Sequence, residues 1–86
     1  MTRNEITQRL LKIFSEQFEI DELGLDDDLR EEHEFDSIDA IELLHEIEVM
    51  LGSVLTRDEK KKAMGIATLN QIIDYIEVLA ATRPAA

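Results

Sequence analysis

The chain has 86 residues, enough for one small hydrophobic core and no second, so it is read as a single domain over residues 1–86 with a frayed tail at 81–86. Hydrophobic residues make up 44%, which excludes a disordered chain, and the lack of cysteine excludes disulfides, Cys-based metal sites and thiol chemistry of the chain's own. A net charge of −11 excludes nucleic acid as a partner and favours steered contact with basic protein surfaces.

No apolar run approaches the roughly 20 residues that span a bilayer. Met1-Thr2-Arg3-Asn4-Glu5 carries no signal-peptide pattern, so the expectation is a cytoplasmic monomer without a membrane segment. The single proline is Pro84, and the body is rich in Leu, Ile and Glu. That composition predicts an all-α fold, a small bundle of three long helices plus one short helix.

The first helix is predicted over residues 2–18. Thr2 and Glu5 have capping-box spacing, and Ile6, Leu10, Ile13, Phe14 and Phe18 fall on one face. Residues 19–36 are predicted as a long loop, because helical periodicity lapses and Gly24 with Asp26-Asp27-Asp28 signals turns. Ile20, Leu23, Leu25, Leu29 and Phe35 are spaced to pin that loop onto the core. A packed loop of this length is uncommon without a function.

The second helix is predicted over residues 37–51, with Asp36 or Ser37 as N-cap and Gly52 as its stop. Thr56 and Glu59 open a short helix to about Met64, ended by Gly65. Thr68 and Gln71 open the last, whose apolar face is Leu69, Ile72, Ile73, Ile76, Leu79 and Ala80.

The second helix carries two apolar stripes. Leu43, Leu44, Ile47, Met50 and Leu51, with Ala40, form the core face, while Ile38, Ile41 and Val49 lie opposite, near His45. Either the long loop covers the second stripe, or it is an exposed strip for a partner protein. Charge frames it: from Glu16 to Glu48 there are fifteen Asp and Glu against one base, Arg30. Outside that segment the charges nearly balance, and Lys60-Lys61-Lys62 forms a small basic cluster.

Ser37 stands where the acidic loop meets this helix. As a nucleophile it lacks support, since the only histidines are His33 and His45 and no Gly-x-Ser-x-Gly elbow is present. As an attachment point it is well placed, because a phosphate ester there lies at the positive end of a helix. A calcium-sensor reading of Asp26-Asp27-Asp28 fails on spacing.

Asp36-Ser37-Ile38-Asp39 followed by Ala40-Ile41-Glu42-Leu43-Leu44 resembles the Asp-Ser-Leu-Asp motif and recognition helix of acyl carrier proteins. Helix lengths, the acidic loop and Ile72-Ile73-Asp74-Tyr75-Ile76 extend the resemblance over nearly residues 2 to 80. The resemblance implies a carrier and not an enzyme. Ser37 would bear 4′-phosphopantetheine, transferred from coenzyme A by a phosphopantetheinyl transferase, with acyl chains held on its thiol for fatty acid or related synthase enzymes. It also implies that Asp36, Ile38, Asp39, Ile41, Glu42 and Glu48 form the surface read by basic partner enzymes; His45 is counted with that surface although it falls where the family frequently has a larger apolar contact. The chain departs from the common pattern at His33-Glu34-Phe35, where a Leu-Gly-x turn is frequent, and in its basic short helix. The alternatives at this level are an aminoacyl or peptidyl carrier, and an unmodified acidic binding module with Ser37 as a plain helix cap.

Overall fold

The computed structural model describes residues 1–82 and is all-helical over them, so the expected all-α bundle is present. Its helices are α1 (Arg3–Phe18), α2 (Leu29–His33), α3 (Ser37–Leu51), α4 (Arg57–Ala63) and α5 (Leu69–Thr82). Of the expected frayed tail at 81–86, Ala81 and Thr82 are helical, and 83–86 lie outside the described residues.

The helix starts follow from local chemistry. Thr2 and Glu5 cap α1 reciprocally, Thr56 and Glu59 cap α4, and Thr68 and Gln71 exchange the same pair of bonds at the start of α5. Gly52, at φ 70°, ends α3 in the left-handed region that glycine adopts without a Cβ penalty. α4 ends at Ala63, one residue before the expected Met64.

The long loop is corrected in one respect: it contains α2. Asp28 caps this five-residue helix by accepting from the N–H groups of Arg30 and Glu31, and Glu32 returns a bond from the Asp28 N–H at 2.7 Å. Five residues hold little more than one turn, too short to leave a periodic signature. The loop is also tied to the α4–α5 connection by two backbone bonds of 2.9 Å, Leu29 N–H to Ala67 O and Asn70 N–H to Leu25 O.

The core gathers Ile6, Leu10 and Phe14 of α1, Leu43, Leu44 and Ile47 of α3, and Leu69, Ile72, Ile73, Ile76 and Leu79 of α5. From the loop, Leu29 and Phe35 are buried, and Ile20 and Leu23 are packed against the same cluster. Leu25 does not pin the loop as expected. It is 44% exposed, and its contribution is its carbonyl. Ile13, Phe18, Ala40, Met50 and Leu51 sit at the core's margin. No helix among the described residues is long and apolar enough to cross a membrane.

Candidate functional site

The start of α3 is held by three devices in succession. α2 stops at Glu34, whose backbone turns left-handed at φ 53° and donates to Leu29 O. Phe35 then plunges into the core, its ring centroid 5.5 Å from Phe14 and 5.3 Å from Phe18. The two α1 rings are themselves 5.5 Å apart, so three aromatics close a cluster under the loop. Asp36 comes next, in extended conformation, and opens the helix.

The cap is Asp36 and not Ser37. Asp36 Oδ1 accepts from the Asp39 N–H at 3.0 Å, and Asp39 Oδ2 accepts from the Asp36 N–H at 3.2 Å. This is a capping box built from two aspartates. Ser37 is therefore the first helical residue. Its side chain is exposed, and its hydroxyl makes no hydrogen bond among the described residues. The plain-cap reading of Ser37 is overturned on this point, because the neighbouring carboxylate performs that function.

The second apolar stripe of α3 is open. Ile38, Ile41 and Val49 are 68%, 61% and 66% exposed, so the long loop does not cover them. Ser37, Ile41 and His45 follow each other at intervals of four residues, making a ridge that begins at the free hydroxyl. On one side of the ridge a depression runs to α1, between Ile41, Glu42, His45, Glu46 and Phe18. On the other side a groove runs to α4, walled by Arg57, Lys60, Lys61 and Met64. These α4 residues were not assigned to the site by sequence; the Lys60-Lys61-Lys62 cluster was the available signal.

Of the expected surface residues, Ile38, Ile41, Glu42 and His45 are exposed beside Ser37. Asp36 and Asp39 are there too, with their carboxylates engaged in the cap. Glu48 differs. Its side chain is only 17% exposed, because Oε2 accepts the N–H of buried Leu55 at 2.8 Å. Lys60 Nζ approaches the same oxygen at 4.0 Å, and His45 Nδ1 lies 3.9 Å from Oε1. Glu48 thus fastens the α3–α4 connection more than it faces outward.

Inside, Leu29, Phe35, Leu43, Ile47, Ile72 and Tyr75 line a cavity of about 20 Å³, room for one water-sized sphere. Among the described residues there is no group of His, Asp and Glu side chains arranged to hold a metal ion. The chemistry available is that of one exposed, unbonded hydroxyl on a ridge with acids toward α1 and bases toward α4.

The chain matches, over residues 8–76, the family model described as phosphopantetheine attachment site. It is 32% identical to an acyl carrier protein of Rubrobacter xylanophilus over 78 residues, covering 88% of this chain and 93% of the relative. It is 34% identical to acyl carrier protein 2 of Ralstonia nicotianae over 83 residues, covering 94% and 99%. An acyl carrier protein of Lactobacillus johnsonii is 30% identical over 79 residues, covering 90% and 95%.

Proposed function

The chain belongs to the acyl carrier protein family, carriers and not catalysts, and from that premise we propose that Ser37 is its attachment residue for 4′-phosphopantetheine. The observation that carries this reading is the division of labour at the start of α3. Asp36 caps the helix, which leaves the Ser37 hydroxyl exposed and unbonded for a phosphodiester. When attached, the group supplies the thiol on which acyl chains are held as thioesters.

The residues present fit such a group. The N–H groups of Ser37 and Ile38, in the first turn of α3, have no acceptor among the described residues, and at that end of a helix the dipole favours negative charge by about 0.3–1 kcal/mol. The Asp36 and Asp39 carboxylates at the same end oppose that attraction. The phosphate is thus tethered without being gripped, which suits an arm that must reach other enzymes. Ile38, Ile41, Glu42 and His45 form the surface presented to the phosphopantetheinyl transferase and to acyl-transfer and synthase enzymes of fatty acid or related biosynthesis. The protein acts as a cytoplasmic monomer. The names of its relatives favour acyl cargo over aminoacyl cargo.

Incubation of the chain with coenzyme A and a promiscuous phosphopantetheinyl transferase, read by intact mass, tests the proposal. The expected result is a single phosphopantetheinyl increment that disappears in Ser37→Ala. No gain in the parent chain, or a gain that persists in the variant, overturns it.

A further inference from the structure

Building on the carrier reading, we propose that the docking surface is divided by charge, and that its occupant is an amphipathic helix of a partner enzyme with one basic and one acidic edge. The ridge of Ile41 and His45 supplies the apolar contact, with Ile41 61% exposed and the His45 side chain 74% exposed. Toward α1 the ridge is flanked by Glu42 and Glu46, neither of which has an ionic partner among the described residues. Toward α4 it is flanked by Arg57, Lys60 and Lys61, which wall a groove of about 570 Å³ floored by Leu44 and Met64.

Two signs of charge therefore lie on opposite sides of the ridge that Ile41 and His45 form. Of the three bases, only Lys60 has a carboxylate nearby, and Glu48 at 4.0 Å is already occupied by the Leu55 N–H. Arg57 and Lys61 have no acidic partner among the described residues. A uniformly basic partner surface seated on Ile41 would meet Glu42 and Glu46 favourably and would be repelled along the whole α4 wall. Like charges brought together in a contact cost more than rim attraction returns, so the wall selects against such a partner. A helix whose apolar face meets Ile41 and His45, with Lys or Arg along the α1 edge and Asp or Glu along the α4 edge, satisfies both sides at once. Because the ridge begins at Ser37, the occupant lies directly beside the arm.

The test uses the full chain, labelled with 15N, and three synthetic helical peptides sharing one apolar stripe. One carries Lys on both edges, one Glu on both, and one Lys on one edge and Glu on the other. The divided peptide is expected to bind about fivefold more tightly than the all-Lys peptide and to shift the amides of Ile41, His45 and Lys61. The double variant Lys60→Glu/Lys61→Glu, with helical content checked by circular dichroism, is expected to reverse that preference toward the all-Lys peptide. Equal or tighter binding of the all-Lys peptide to the parent chain overturns the division, as does failure of all three to bind. A concentration-dependent dimer of the free chain that the same variant disperses also overturns it, in favour of a second copy as occupant. Modification of Ser37 is read separately by mass, so loss of the divided surface leaves the carrier reading standing, and failure of modification is visible by itself.

Discussion

Glu34 is, with Glu19, one of two described non-glycine residues whose backbone is left-handed. It holds φ 53° at the end of α2, a conformation that costs a residue with a Cβ about 1–2 kcal/mol. Glu34→Gly should therefore stabilise the chain by about 1 kcal/mol in urea unfolding. Gly52→Ala should do the opposite by a similar amount, about 1 kcal/mol, and for conformational reasons alone, since a Cβ there meets no atom within 4 Å. Glu48 offers a second residue-scale test. Glu48→Ala leaves the N–H of buried Leu55 without its acceptor and should cost about 1–3 kcal/mol, whereas Glu48→Gln keeps an acceptor oxygen and should cost clearly less. If both variants unfold alike, the bond to Leu55 is not what makes Glu48 matter.

At the scale of the element, α3 separates capping from cargo. Asp36→Ala should cost about 1 kcal/mol of stability by thermal or urea unfolding, while Ser37→Ala should be near neutral, because Ser37 supplies no cap. A loss in Ser37→Ala equal to that in Asp36→Ala would return the serine to a capping role. The loop before α3 is held by a different pairing. His33 Nε2 lies 3.1 Å from Asp27 Oδ2, and the Gly24 N–H donates to the same oxygen at 2.9 Å. The histidine bond first, and the Gly24 bond second, hold the Asp27 carboxyl below the ordinary carboxylate range. A depressed folded-state value means that this stabilisation is present above the unfolded pKa and is lost as pH falls through the folded one. Asp27→Asn should therefore flatten the acid side of the stability profile, measured as urea midpoint against pH, and leave the neutral side to report only the weakened bonds to His33 and Gly24.

Across the whole molecule, the fifteen acids between Glu16 and Glu48 repel one another around a small core. Screening should relieve them: raising salt from 0.01 M to 0.15 M, which shortens the Debye length from about 30 to about 8 Å, should stabilise the fold. A gain on the order of 1 kcal/mol appears as about 4–8 °C in Tm for a chain of this size. A Tm that falls with salt would mean that the ion pairs of Arg3 with Asp74 and Glu77 outweigh the crowding.

The sequence by itself determined the helix starts, the core lines and the chemistry available at Ser37. Those depend on residues three or four apart, as in Thr2 with Glu5, Thr56 with Glu59 and Thr68 with Gln71, so neighbours in sequence suffice to specify them. It also carried a weak sign of α2, in Asp28 followed by Glu31 and Glu32, but too few residues to establish a period. The choice of Asp36 over Ser37 as the cap of α3 is again local, through Asp39 three residues on, whereas tertiary structure decided whether the loop covers Ile38 and Ile41, and where Leu25 and the Glu48 carboxylate turn. Each of those outcomes rests on a distant partner: Ala67 and Asn70 fix the course of the loop, and Leu55 claims Glu48. A periodic pattern shows that a helix has two apolar faces; only the packing of remote segments settles which one remains open to a partner.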